Sequence, residues 1–411
     1  MSKRLFYYVY IIFACALLAI GRLSDDRLVL ENINISHIIS CIYIIMSFVI
    51  IISFRSIYID LNKRLLLLFY SSILLTAPAL WLIFGIFEPT VGTFDGGLLN
   101  YMNFFLIIVP ISFIIMERFD YKYVKFMIIV LLGVSLLLAF TSIFGITERE
   151  DGRLGVLGGG PIVFCRWMQY GVLVLLLYPN KKWMLIRMIA VLGLLVLSFA
   201  TGSRGPLLAL FLTGLIYIFL NFRKSFLRFF SLVILLFLLF FTTNIEKEVN
   251  KLGNTKRVFM NFSLKGFNNH STGTRMDMIN RSFDMINNYP FGVGAGNWQY
   301  IANKINNRHL MNAQNFYPHN LFLEIACEYG IHTLLLLILV VLYSSFLAYK
   351  KMIKYKDNDS SIYPLLYYLF LFLFFNSLIS GMLNDSRLLI VIISFILIRR
   401  PLIKKTKRLI K

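Results

Sequence analysis

The chain has 411 residues, 58% of them hydrophobic and 15% charged, with a formal net charge of +21. A soluble domain of this length could not cover so much apolar surface, which excludes an ordinary water-soluble enzyme and makes lipid the natural solvent. The charge alone would suit nucleic acid, but its distribution is that of a membrane-topology signal, so no nucleic-acid partner is expected. In chain order, apolar segments fall at Leu5–Gly21, His37–Phe54, Leu65–Phe87, Leu98–Met116, Phe126–Ile146, Trp167–Pro179, Trp183–Ala200, Gly205–Phe222, Phe226–Thr242, Ile331–Ala348, Ile362–Leu383 and Leu388–Ile398. Most approach the roughly 20 apolar residues that a spanning helix needs, since lipid offers backbone groups no partner.

These twelve segments place both termini on one side. The segments facing that side, together with Arg187 and Arg228 just inside the adjoining spans, carry 25 Lys/Arg and 5 Asp/Glu, and the opposite loops carry 16 and 15. The basic excess marks the cytoplasmic side. The expected fold class is all-α: a polytopic transmembrane helical bundle of about 12 spans with a large helical periplasmic loop. Residues 1–242 hold nine spans, residues 243–330 form the loop, and residues 331–411 hold three more spans and a basic tail. The tail, Arg399–Lys411, contains seven Lys/Arg and reads as an orientation and headgroup anchor. Leu5–Gly21 reads as an uncleaved first span, because Ala14-Cys15-Ala16 lies inside the apolar stretch and Arg22 follows it. The expected location is an inner membrane, with any active site on the non-cytoplasmic side.

Most connections are short. The 88 residues from Thr243 to Gly330 are too long for a passive linker. Within them Ser271-Thr272-Gly273-Thr274 signals a helix start, and Met276, Ile279, Phe283 and Ile286 recur at helical spacing until Pro290. That pattern predicts an amphipathic helix lying on the membrane or on the bundle top. Gly292-Val293-Gly294-Ala295-Gly296 reads as a flexible turn, and Pro318 opens a second helix over His319–Tyr329. A further loop, Thr147–Arg166, contains Gly152-Arg153 and Gly158-Gly159-Gly160-Pro161.

Four ionisable residues lie at the ends of apolar helices on the predicted periplasmic side. Arg204 sits in the tight turn Thr201–Pro206, Arg275 in the first turn of the loop helix, His319 at the start of the second loop helix, and Asp385 in the short turn before Arg387. Arginine offers a fixed charge and a fork of donors suited to phosphate oxygens, and helix N-termini favour anions. A neutral histidine beside them can accept a proton from a hydroxyl. Together these groups suit transfer from a lipid-diphosphate donor to a sugar hydroxyl. Each has a plainer reading. Arg204 could be an interfacial anchor, Arg275 could pair with Asp277 or Glu246, His319 could cap a helix, and Asp385 with Arg387 could be a surface pair of little energetic weight.

Other patterns carry less. Cys15, Cys41, Cys165 and Cys327 have no metal or redox spacing. Gly292–Gly296 spells a nucleotide loop without the preceding strand. Asp357-Asn358-Asp359 lies in a Lys-rich cytoplasmic loop and reads as a solvated cluster. No metal or cofactor is expected. A transporter would place charged residues near span midplanes, where the sequence has almost none.

His319-Asn320, nine residues and then Gly330-Ile331-His332-Thr333 resembles the His-Asn-x9-Gly-x-x-Thr pattern of the O-antigen polymerase and ligase superfamily. Thr201–Gly205 is similar to that family's Ser/Thr-Arg turn, and Thr272–Arg275 with Tyr289–Gly294 to its loop helix and Pro-x-Gly-x-Gly segment. Arg153-Leu154-Gly155 is similar to an upstream Arg-containing loop, and Asp385 falls where some ligases have an acid. The resemblance implies a GT-C-like membrane glycosyltransferase, inverting and metal-independent, acting on undecaprenyl-diphosphate-linked oligosaccharide within membrane lipid. It implies that Arg204 and Arg275 hold the diphosphate, His319 activates the acceptor, and Arg153, Asn320 and Asp385 bind substrate. A chain-length regulator and a flippase would be its partners. The Gly294-x-Gly296 segment and the Gly158–Pro161 loop favour polymerase, which extends the next lipid-linked repeat unit. The His-Asn-x9-Gly motif pulls toward ligase, which transfers the glycan to lipid A-core.

Overall fold

The computed structural model describes residues 3–23, 25, 28–30, 33–54, 60–86, 97–144, 147–148, 154–155, 160–179, 183–221, 270–305, 317–356, 358 and 361–402. The architecture is all-α. Among the described residues the only strands are two short antiparallel pairs, Val29–Leu30 with Ile33–Asn34 and Thr147–Glu148 with Leu154–Gly155. The helices are α1 (Lys3–Ile20), α2 (Ile35–Ile52), α3 (Leu61–Phe84), α4 (Gly97–Asn103), α5 (Val109–Arg118), α6 (Tyr121–Phe144), α7 (Pro161–Leu177), α8 (Met184–Ala200) and α9 (Arg204–Leu220). Then follow α10 (His270–Asn288), α11 (Trp298–Ile305), α12 (Leu321–Lys354), α13 (Tyr363–Ser380) and α14 (Arg387–Leu397).

Helices underlie eleven of the twelve expected spans, and the ninth, Phe226–Thr242, lies outside the described residues, as do Arg153 and most of the tail. Six described helical segments are long and apolar enough to cross a membrane, with α4, a π-turn at Phe104–Ile108 and α5 forming one of them. The other apolar helices have 10–17 residues. The boundaries differ from expectation at α7. It starts at Pro161 rather than Trp167, because proline at the first helical position loses no hydrogen bond there.

The chain divides into two compact units, residues 1–134 with 271–411, and residues 135–270. In the first unit, side chains repair the places where a helix cannot satisfy its own backbone. Pro78 lies inside α3 and leaves the Leu74 carbonyl without its helical donor, and the Tyr101 hydroxyl donates to that carbonyl at 3.1 Å. The Tyr43 hydroxyl donates to Ile107 O at 2.7 Å in the π-turn. Gly330 breaks α12 with φ 84° and ψ 166°, and the Thr333 hydroxyl donates to the Tyr329 carbonyl across the break. In lipid such repairs are needed, since water is not there to do the same. In the second unit α7 packs along α8: Gly171 admits Ser135 and Leu194, Cys165 lies against Ser198 O, and Arg187 donates to the carbonyls ending α7.

Candidate functional site

Within the first unit one end of the helices gathers polar side chains, and its centre is the start of α12. Asn320 is the N-cap. Its Oδ1 accepts from Phe322 N and Leu323 N at 2.9 and 3.1 Å, and its Nδ2 donates to Leu378 O near the end of α13 at 2.9 Å. Asparagine is among the residues that best satisfy the free N–H groups of a helix start, an effect of about 1 kcal/mol. The cap makes α12 begin at Leu321, two residues later than expected. It also ties the Asn320 amide to backbone on both sides, so Asn320 fixes the chain next to its neighbour. That neighbour, His319, adopts φ 53°, a left-handed conformation unusual for a non-glycine residue. Its ring packs on Tyr317 at 3.9 Å, and its carbonyl accepts from Gly381 N at 3.4 Å. Strain of this kind persists where surrounding contacts over-determine it, as the cap and the α13 bonds do here.

Glu328, two turns along α12, accepts from the backbone N–H groups of Gly296 and Trp298. It places a carboxylate at the N-terminus of α11, where the helix dipole favours it. Beside it Val293 N donates to Cys327 O, Gly294 N to Glu328 O, and Ile331 N to Pro290 O, at 2.9–3.0 Å. The segment expected to be a flexible turn is thus fixed by backbone bonds along both sides of the α12 break. Glycine is required because the two backbone segments touch: a Cβ on Gly330 would lie 2.5 Å from Phe291 O, and one on Gly292 would lie 2.7 Å from Gly330 N. Trp81 at the end of α3 donates to Ala295 O at 3.1 Å, and Asn297 donates to Gly85 O at 2.9 Å, so the clasp also rests on α3.

The helix α10 packs on this clasp, and Ile286 of the expected apolar stripe lies against it. Met278 and Met285 are 2% and 0% exposed and join Val293, Trp298, Ile301, Ala302 and Cys327 in a small core. Met276 and Phe283, on the predicted face, are 60% and 54% exposed. Arg281 decides the orientation: it is buried, pairs with Asp277 at 2.9 Å and donates to Ala302 O at 3.0 Å. Asp277 is therefore engaged by Arg281. Arg275 is the sixth residue of α10, beyond the first turn where backbone N–H groups are free.

The turn Met382–Ser386 closes the same end. Leu383 N donates to Glu324 Oε2 at 2.9 Å, and Asn384 Nδ2 donates to Asn100 Oδ1 at 2.7 Å. Arg387 is no surface residue. It is 7% exposed and its guanidinium donates to Leu18 O, Ala19 O and Asn384 O, capping the end of α1, with Asp385 at 4.0 Å. The surface-pair reading of Asp385 and Arg387 is therefore corrected.

The first unit thus brings His319, Asn320 and the Asp385 turn onto one scaffold, with Arg275 on the helix packed against it. Arg204 belongs to the second unit, where it is the first residue of α9, after Gly202 at φ 62° and the buried Thr201, which accepts from Ser203 N. Arg153 lies outside the described residues. Among the described residues no cluster of His, Cys, Asp or Glu is arranged to hold a metal ion. Glu324 and Glu328 escaped the reading of the sequence, although their spacing with Asn320, four residues each, puts all three on one helix face.

Long apolar helices and a polar site gathered at their ends define an all-α integral membrane protein. Residues 188–338 match the family model described as O-antigen ligase, and that match supports a relation of this part of the chain to the O-antigen polymerase and ligase superfamily. The matched region holds Arg204, Arg275, His319, Asn320 and Gly330, and excludes Arg153 and Asp385. No curated protein matches the chain.

Proposed function

We propose that the protein is an inner-membrane glycosyltransferase that transfers an undecaprenyl-diphosphate-linked glycan chain onto the next lipid-linked repeat unit. The observation that carries this reading is His319, held in a left-handed conformation at the capped start of α12 inside the region matching the O-antigen ligase family. A single displacement fits these groups. The acceptor hydroxyl attacks the anomeric carbon and gives its proton to His319. The bond from that carbon to the donor diphosphate breaks, and undecaprenyl diphosphate leaves with the electron pair. Arg204 and Arg275 would hold the diphosphate and offset its developing charge. Displacement in one step inverts the anomeric configuration and requires no metal when guanidinium groups carry the charge. Asp385 would help to orient the acceptor and Arg153 would serve as an auxiliary cation. In this reading the twelve spans put the site in the periplasm, and a flippase delivers the donor while a chain-length regulator limits the product.

The alternative is a ligase, in which the acceptor is lipid A-core; the match to the family described as O-antigen ligase supports either reading. Deleting the gene and separating surface glycans on a gel decides between them. A single repeat unit on the lipid core means polymerase; bare core with accumulated lipid-linked polymer means ligase. Unchanged surface glycans would contradict both.

A further inference from the structure

We propose that Glu324 is a positioning residue, which fixes the turn Met382–Ser386, and with it Asp385, to the helix end that carries His319. The inference rests on the reading above for its catalytic consequence, and on geometry alone for the positioning itself. A glutamate in the first turns of a helix needs no special explanation, because the dipole favours it. Glu324 does more than that. Its Oε2 accepts from Leu383 N at 2.9 Å, across 59 residues of sequence, and Leu383 is buried. Next to the turn, Gly381 N donates to His319 O at 3.4 Å, and the Glu324 bond is the shorter of these two.

Glu324 is also placed where a purely stabilising acid is unexpected. The acids facing it are Glu328 on its own helix and Asp385 on the turn that it holds. The two glutamates have separate tasks. Glu328 holds the N–H groups at the start of α11, and Glu324 holds Leu383 N. Asn320, at the head of the same face, holds Leu378 O. Side chains spaced four residues apart therefore fasten one rigid helix to three chain segments, and Glu324 is the one that reaches the Asp385 turn. A displacement of about 1 Å in such a site can cost on the order of a hundredfold in rate.

The test uses the full-length protein in lipid nanodiscs, with variants Glu324→Ala, Glu324→Gln, Asp385→Ala and the Glu324→Ala/Asp385→Ala pair. Hydrogen exchange at residues 381–386 reads positioning without reference to activity. Alanine is expected to speed exchange there about tenfold, while glutamine, which can still accept from Leu383 N, leaves it unchanged. In glycan transfer from an undecaprenyl-diphosphate-linked repeat unit, Glu324→Ala is expected to lower kcat about thirtyfold with the donor KM unchanged, glutamine to restore most of it, and the double variant to match Asp385→Ala alone. Unchanged exchange in Glu324→Ala overturns the proposal whatever the activity, as does equal loss in the alanine and glutamine variants or full additivity in the pair. Wild-type protein that transfers no glycan contradicts the proposed function and leaves the exchange result to decide the positioning role.

Discussion

The two ends of the first unit's helices use charge in opposite ways. At one end Lys63 and Glu117 form a buried pair at 2.6 Å, Arg118 lies 4.5 Å over the Phe54 ring and donates to Ser53 O, and Lys351 donates to Ile396 O and Ile398 O. There each charge meets a charge, a ring or a helix-end carbonyl, and the result is a plain seal on the bundle. At the other end Asn320, Glu324 and Glu328 spend their side chains on backbone N–H and C=O groups of distant segments, and Asn384 reaches Asn100 across 284 residues. The first arrangement closes helix ends. The second holds loops in fixed places, and a histidine with φ 53° sits in the middle of it. The contrast teaches that the site end adds the placement of loops to the pairing and helix-end capping that Arg281 and Arg387 supply there.

The contrast can be broken at either end. The largest stability effect is expected for Gly330→Ala, which adds a Cβ 2.5 Å from Phe291 O at a φ of 84°. The clasp must open, and a loss of several kcal/mol, about 3 or more, should appear as a lower thermal midpoint in detergent together with loss of transfer. Lys63→Ala strands Glu117 at the sealed end and should cost about 3 kcal/mol of stability. Transfer per folded molecule should stay unchanged, and reduced specific activity in that variant would blur the distinction between the ends. Asn320→Ala should destabilise by about 1 kcal/mol but reduce kcat by roughly tenfold or more, since the cap places His319. Asn320→Asp keeps the acceptor and loses only the donor to Leu378 O, so it should fall between alanine and wild type in the same assay. The smallest effect is expected for Asn384→Ala, where one neutral bond to Asn100 is lost. About 1 kcal/mol or less should register in a thermal shift measurement.

Much of this was readable beforehand, and the misses have definite causes. Apolar runs located the helices because lipid forces long hydrophobic segments, whatever their tertiary partners. The spacing from His319-Asn320 to Gly330 marked the kinked start of α12, since only that register brings Gly330 against Phe291. The spacing of Met276, Ile279, Phe283 and Ile286 marked α10 as an amphipathic helix, but it did not show that Met278 and Met285 enter a core beside the buried Arg281, because a buried arginine reads as polar in sequence. The Gly292–Gly296 segment looked mobile because glycine signals freedom in sequence. Here it signals positive φ at Gly292, Gly294 and Gly296 under close backbone contact. Glu324 and Glu328 stayed hidden because an acid near a helix start is ordinary; only their four-residue spacing from Asn320 hinted at a shared face.

The most direct measurement is transfer by purified protein supplied with undecaprenyl-diphosphate-linked repeat units, comparing wild type with His319→Ala. Wild type should build longer lipid-linked glycans, while the variant should bind the donor with similar affinity and form no product. Chains of wild-type length from His319→Ala would show that the α12 start is not where the acceptor is activated.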